Sequence, residues 1–288
     1  MADNAETLVV STHGLSEDVR SGSFRSYLKD LWKYRSFILD DARHKAFRST
    51  EGYYMWQAWL VLSPLLEAGM YGFLFGFIFR ASRGIDNFTT YLLVGLTVFT
   101  VITQLTSAGS GLIHSNLKLI HTFDFPASAV VSSQALRSIL DSLPGVFFGF
   151  SVAIFFQIVD GDLFWTTLLL VPIMLLAVMF GVGFMFQVAA ATAVIPDLKS
   201  VVNLLLRGWM FFSCIFFPIS RLDEVPWLRS LAEWNPAYRY ILASRQAVID
   251  GVVPNGRDWL IMFAWSAGAV AVGVIMLWLC ERRVNELS

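Results

Sequence analysis

The sequence predicts an all-α integral membrane protein: six transmembrane helices behind an amphipathic interfacial helix, with a re-entrant outer hairpin between spans five and six. Three observations predict this class. Of 288 residues, 56% are apolar and 15% charged, against about 45–50% and about 25% in soluble domains. Charge this scarce would not cover the surface of the roughly two soluble domains that the length would otherwise suggest. The mean hydropathy is +0.60. The apolar residues also gather in runs that fit the helix of about 20 residues needed to cross a hydrocarbon core about 30 Å thick. The same composition excludes disorder and, with 2 Cys, a disulfide scaffold. A net charge of −1 offers no bulk basic field to nucleic acid, so none is expected as a partner.

The chain divides into a polar N-terminal tail (1–21), an amphipathic helix with its connector (22–52) and a six-span domain (53–283). In the second part Phe24, Tyr27, Leu28, Leu31, Tyr34 and Ile38 form a stripe at helical spacing, with Arg25, Lys29 and Lys33 on an adjoining face. An apolar face beside a basic one suits the surface of an anionic cytoplasmic leaflet. The first 52 residues hold eight basic side chains, from Arg20 to Arg48, and no short apolar stretch of a secretory signal follows the first of them.

The spans are expected at Tyr53–Phe79, Phe88–Ile113, Ser128–Ile158, Leu163–Ile195, Leu198–Ile219 and Trp259–Cys280. Six crossings put both termini on one side, and the basic N-terminus makes that side the cytoplasm. Trp56, Trp59, Trp259 and Trp278 fall near span ends, where indole rings favour the headgroup layer. Between spans five and six, Val225–Trp234 and Ala237–Asp250 read as two amphipathic helices broken at Asn235-Pro236. They carry more apolar surface than a solvated loop needs and are too short to span. A hairpin dipping into the membrane is allowed where protein or water faces it; a cap lying flat is the alternative. Cys214 and Cys280 fall near opposite ends of their spans, which argues against an intrachain disulfide.

Charges inside spans are costly and point to function or pairing. Arg137 and Asp141, at i and i+4, are expected to pair with each other. Glu67 lies near the middle of the first span, and Arg207 in the fifth is its most economical partner. Ser110 and His114 superficially suggest a nucleophile and its base, but no orienting carboxylate stands near them. Gly109-Ser110-Gly111 is more simply read as a close helix contact. No spacing of Cys and His suggests a metal site, and no catalytic residue is assigned. The sequence lacks a G-x-x-x-x-G-K-[ST] phosphate loop, so the chain has no such route to ATP hydrolysis of its own.

Four motifs occur in order. Lys45-Ala46-Phe47-Arg48-Ser49-Thr50-Glu51-Gly52 precedes Trp56 and Pro64. Asn116, Leu119, Ile120, Phe125 and Pro126 follow the second span. Asp197-Leu198 opens the fifth span and Phe217-Pro218-Ile219 closes it. Asn235-Pro236 sits in the outer hairpin. Together they resemble the permease subunits of ABC exporters for lipid-linked polysaccharides, such as O-antigen, teichoic acid and mycobacterial galactan exporters. Pro196 and Ala127 depart from the arginines often found there in that family, which bears on partner contacts more than on fold.

The resemblance implies a multi-pass half-transporter of the bacterial inner membrane, paired with a second copy of itself and surrounded by lipid. A separate nucleotide-binding ATPase subunit would hold ATP and Mg, leaving no cofactor in this chain, and a lipid-linked polysaccharide would be the substrate. It implies that His114–Pro126 couples to the ATPase, with Asn116, Leu119, Ile120, Phe123, Asp124, Phe125 and Asp197 as contact candidates. Trp56, Trp59, Glu67, Arg207, Trp234 and Tyr238 are candidates for the substrate path, since sugar C–H faces stack on aromatic rings. A drug or small-lipid exporter of the same superfamily is the nearest alternative; a proton-coupled carrier and an intramembrane enzyme are more distant ones.

Overall fold

The computed structural model describes residues 87–123, 126–159 and 163–286, with isolated positions 39, 66, 69, 70, 73 and 74 before them. Apart from those positions, the expected interfacial helix and first span lie outside the described residues. Every element among the described residues is helical.

Helix α1 (Phe88–Ala108) starts where the Asn87 side chain accepts the Thr90 N–H at 3.1 Å, supplying a partner to one of the first-turn donors that a helix leaves free. The Asn87 amide also donates to Gln157 Oε1 at 3.1 Å, which ties the start of α1 to a residue 70 positions on. After α1 the chain turns through Gly109–Gly111, where Gly111 takes a left-handed conformation (φ 72°) that its missing Cβ makes cheap. Two short helices follow, α2 (Leu112–Ser115) and α3 (Leu117–Phe123). Helix α4 (Ala127–Val159) then runs back antiparallel to α1. A 3₁₀ turn at Trp165–Leu169 leads into α5 (Leu170–Val194). Helix α6 (Leu198–Phe212) is followed by a 3₁₀ turn at Ile219–Leu222, then α7 (Pro226–Trp234) and α8 (Pro236–Arg245). Both of the last two have Pro in the first turn, where its missing N–H costs nothing. A π-helical turn at Gln246–Asp250 and Gly251 lead to α9 (Gly256–Glu286).

Four stretches are long and apolar enough to cross a membrane: Phe88–Ala108, Ala127–Val159, Trp165–Val194 and Gly256–Glu281. They coincide with the second, third, fourth and sixth expected spans. The fifth differs. Its helix stops at Phe212 after 15 residues, about 22 Å at 1.5 Å per residue, and residues 213–218 continue as irregular chain.

Helix α5 is the hub, lying along α9 on one side and α1 on another, while α1 also packs on α4. Leu92, Ile102, Ile173, Phe180, Tyr240 and Met262 fill the shared core. The α5–α9 contact is close because small residues face one another. A Cβ at Gly183 would meet the backbone of Ala269 and Val270 at 2.5 Å. Outward, Phe147, Leu168, Leu175, Leu204 and Leu260 are exposed, a surface that hydrocarbon tolerates and water does not. Both cysteines are free thiols.

Candidate functional site

The two segments expected to carry function sit at opposite ends of the bundle. At one end, Leu117 and Ile120, a helical turn apart, turn α3 inward onto a cluster that includes Leu112, Ile113, Val131, Met185 and Leu277. Lys118 and Thr122, spaced i to i+4, are exposed together with His114 and Ser115. Polar bonds fix the seat. The Gly111 N–H donates to Thr192 Oγ1 of α5 at 3.0 Å, and the Asn116 amide donates to the Leu112 carbonyl at 2.9 Å. Just beyond Pro126, the Ser128 N–H donates to the Glu281 carboxylate of α9 at 2.6 Å. Glu281 thereby caps the first turn of α4 from another helix, as an N-cap side chain would from within it. The turn between α1 and α2 is packed as tightly, since a Cβ on Gly109 would collide with the Met185 carbonyl oxygen. Ser110 Oγ is buried without a hydrogen bond and His114 is exposed, so the two do not form a nucleophile–base pair.

At the other end the chain breaks after α6. Cys214 takes a left-handed backbone conformation (φ 51°), uncommon for a residue with a Cβ. The break strips several carbonyls of helical partners, and buried carbonyls need replacements. Arg245 supplies two of them and reaches a third carbonyl on α1. Its Nη1 donates to Cys214 O at 3.0 Å, Nη2 to Ile215 O at 2.9 Å and Nε to Tyr91 O at 3.2 Å. Its guanidinium carbon lies 3.3 Å from the centroid of the Tyr91 ring, a cation–π contact. The Tyr91 hydroxyl donates to Phe217 O at 3.0 Å. Arg245 is 4% exposed and fits because residue 95 is glycine: a Cβ there would stand 2.5 Å from Nη2.

The turn between α7 and α8 is equally saturated. Asn235 Oδ1 accepts from Trp209 Nε1 at 2.8 Å and from Ala237 N at 3.0 Å, while its amide nitrogen lies 3.1 Å from Phe212 O and from Ser213 Oγ. Trp209 in turn touches Phe99, Phe180 and Phe184. Farther along α8, the Tyr240 hydroxyl lies 2.9 Å from Met262 O and 2.6 Å from Ser266 Oγ of α9. Helix α7 is different. Ala232 is its one buried residue, Trp227, Leu231 and Trp234 form an exposed stripe, and Arg229 bridges Asp223 and Glu233 at the surface.

The ABC-2 type transporter family matches residues 50–249, about two thirds of the chain. The chain belongs to that family. It is also similar to two named transport proteins. It is 27% identical to the polysialic acid transport protein KpsM of Escherichia coli over 214 residues, covering 71% of this chain and 79% of that one. It is 20% identical to the O-antigen export system permease protein RfbA of Myxococcus xanthus over 256 residues, covering 87% and 92%.

Within this ABC-2 permease the expected site residues fall in distinct places. Arg137 and Asp141 pair at 3.5 Å. Asp197 and Arg207 are exposed, and Trp234 is 77% exposed. Tyr238, by contrast, is 4% exposed and buried against Cys214 and Ala232. Ile120 packs inward, and Asn116 serves the seat of α3. The side chains of Trp56, Trp59, Glu67, Leu119, Phe123, Asp124 and Phe125 lie outside the described residues. The sequence reading missed Arg245, Tyr91 and Glu281. Arg245 was detectable: it stands four residues after Ile241 and eight after Ala237, on the apolar stripe of its helix, where a cation has to find partners.

Proposed function

We propose that this chain is the transmembrane subunit of an ATP-driven exporter that moves a lipid-linked polysaccharide from the inner to the outer side of the cytoplasmic membrane. It works with a second copy of itself and with a separate ATPase subunit that binds ATP and Mg. The observation that carries the reading is that KpsM and RfbA, proteins named for two different glycans, both align over most of this chain. What the two names have in common is the transport of a polysaccharide, which one of them specifies as export.

The geometry supports a division of labour. Both termini lie in the cytoplasm, and His114–Pro126 is the part the ATPase grips. Force can enter there because α3 is anchored: Leu117 and Ile120 hold it to the bundle, leaving Lys118 and Thr122 outward with the neighbouring His114 and Ser115. Asp197 lies exposed in the loop before α6, available to the same partner. Charged and polar groups at such a contact set register and orientation.

At the outer face, α7 and α8 form a re-entrant hairpin, with α6 and residues 213–218 completing the fifth of six crossings. Two features support this. The Asn235 turn touches Trp209, which contacts Phe99, a residue about 16 Å along α1 from its start. In the irregular backbone, the carbonyls of Cys214, Ile215 and Phe217 are bonded by protein side chains, as is that of Phe212 before it, which is what non-helical chain at membrane depth requires. The exposed Trp234 ring, with Trp56, Trp59, Glu67 and Arg207, borders the glycan path.

Depletion of the protein in cells tests the reading. Lipid-linked glycan should accumulate on the cytoplasmic side while synthesis continues. Normal surface glycan after depletion, with altered drug sensitivity, would replace this reading with a drug exporter.

A further inference from the structure

We infer that Arg245 is a positioning residue that welds α8, the break after α6 and the start of α1 into one body, and that α7 is the half of the hairpin that moves. The inference rests on the proposed role of the hairpin at the outer mouth for its meaning in transport.

The two halves are held very differently. Helix α8 is buried along its length, at Ala237, Tyr238, Tyr240, Ile241, Ala243, Ser244 and Arg245. It is bonded to α9 through Tyr240 and to the 213–217 break through Arg245. Helix α7 buries one residue, and the ion pairs along it are at the surface, where such pairs contribute little. Between the halves stands Asn235-Pro236. Proline lacks the N–H that would continue a helical ladder and Asn235 is bonded to α6, so a bend falls on the α7 side of this junction, where the Arg239 Nε bond to Glu233 O joins the halves.

The choice of arginine follows from its partners. They are three backbone carbonyls from two separate segments and one aromatic face; no salt bridge to Arg245 occurs among the described residues. A planar guanidinium can fork to adjacent carbonyls and lie on a ring together, which the point charge of lysine cannot reproduce. Two of those carbonyls, Cys214 O and Ile215 O, lie just past the C-terminus of α6, where the helix dipole favours a cation. Gly95 leaves room for the guanidinium. Displacing α8 would break all these contacts together; displacing α7 breaks none of them.

Hydrogen exchange on the full complex with its ATPase, in lipid nanodiscs, tests this. Without nucleotide, amides of 226–234 should exchange roughly tenfold faster or more than those of 236–245. During ATP turnover, 226–234 should accelerate further while 236–245 and 213–217 stay unchanged. Arg245→Gln and Arg245→Lys should both deprotect 213–217 and 236–245, lysine failing to rescue. Gly95→Ala should deprotect 213–217 in the wild type and add nothing in the Arg245→Gln background. Equal exchange of the two hairpin helices in the unaltered complex, or their joint acceleration during turnover, would overturn the inference. So would lysine rescue or additive effects of the Gly95 and Arg245 changes. Loss of glycan export with this exchange pattern intact would count against the proposed substrate instead.

Discussion

Replacing Gly183 by alanine should push α5 and α9 apart. The added Cβ would stand 2.5 Å from Ala269 C and Val270 N, where ordinary contact begins at 3.4 Å. Those neighbours are backbone atoms and have no rotamer to turn away, so relief requires movement of one helix against the other. Overpacking of this kind costs about 1–3 kcal/mol. Alanine returns up to about 1 kcal/mol through better helix propensity, so the net loss lies between about 0 and 3 kcal/mol and centres on about 1.5 kcal/mol. Gly268 supplies the control on α9 itself. A Cβ there meets nothing within 4 Å, so Gly268→Ala should be neutral or stabilising by up to about 1 kcal/mol. Gly273→Ala probes the same contact from the other side, because its Cβ would lie 2.6 Å from the Gly183 carbonyl oxygen. The double variant should therefore lose less than the two single losses combined. Reversible unfolding of the purified chain in mixed micelles, titrated with denaturing detergent, measures all four variants. Equal stability of Gly183→Ala and Gly268→Ala would refute the packing argument, since it predicts a loss at the first position and none at the second for the same chemical change.

Other expectations concern the two ends. Glu281→Ala should cost about 1 kcal/mol by uncapping α4 and raise exchange at the amides after Pro126, with Glu281→Gln milder because it keeps an acceptor; unchanged exchange in both would deny Glu281 its capping role. Asn235→Ala leaves the Trp209 indole N–H and the Phe212 carbonyl without their partner and should destabilise by about 2–3 kcal/mol, read as a lowered unfolding midpoint. Phe123→Ala combined with Asp124→Ala should leave the permease folded while weakening co-purification of the ATPase or uncoupling hydrolysis from export; unchanged binding and export would remove this segment from the coupling mechanism.

Much of the fold was legible because span detection needs only length and hydropathy. Four long apolar runs became four long helices at nearly the expected positions. The two helices around Asn235-Pro236 were legible too, since that break and the flanking stripes are local signals: α7 ends at Trp234 and α8 starts at Pro236, each within a residue of expectation. The fifth span was drawn too simply. Hydropathy runs on smoothly through Phe211–Ile219, but the helix ends at Phe212 because Asn235, Arg245 and Tyr91 offer its carbonyls better partners. Those residues lie 22 to 126 positions away along the chain, beyond the reach of any window. The segment His114–Pro126 shows the same limit. Ile120 is a contact candidate by its sequence position, whereas with Leu117 it is spent on seating the helix. Tyr238 was chosen for the substrate path as an aromatic beside the hairpin turn, yet the helical phase puts it in the core and leaves Trp234 outside.

Reconstitution tests the central claim most directly. The purified chain, with and without its ATPase subunit, is placed in proteoliposomes containing a lipid-linked polysaccharide, and a membrane-impermeant glycan-binding probe reads which side the glycan occupies. The account predicts that glycan crosses only when this chain, the ATPase, Mg and ATP are all present, and that the chain alone hydrolyses no ATP. Hydrolysis by the lone chain, or a complete complex that turns over ATP and leaves the glycan on its original side, would contradict it.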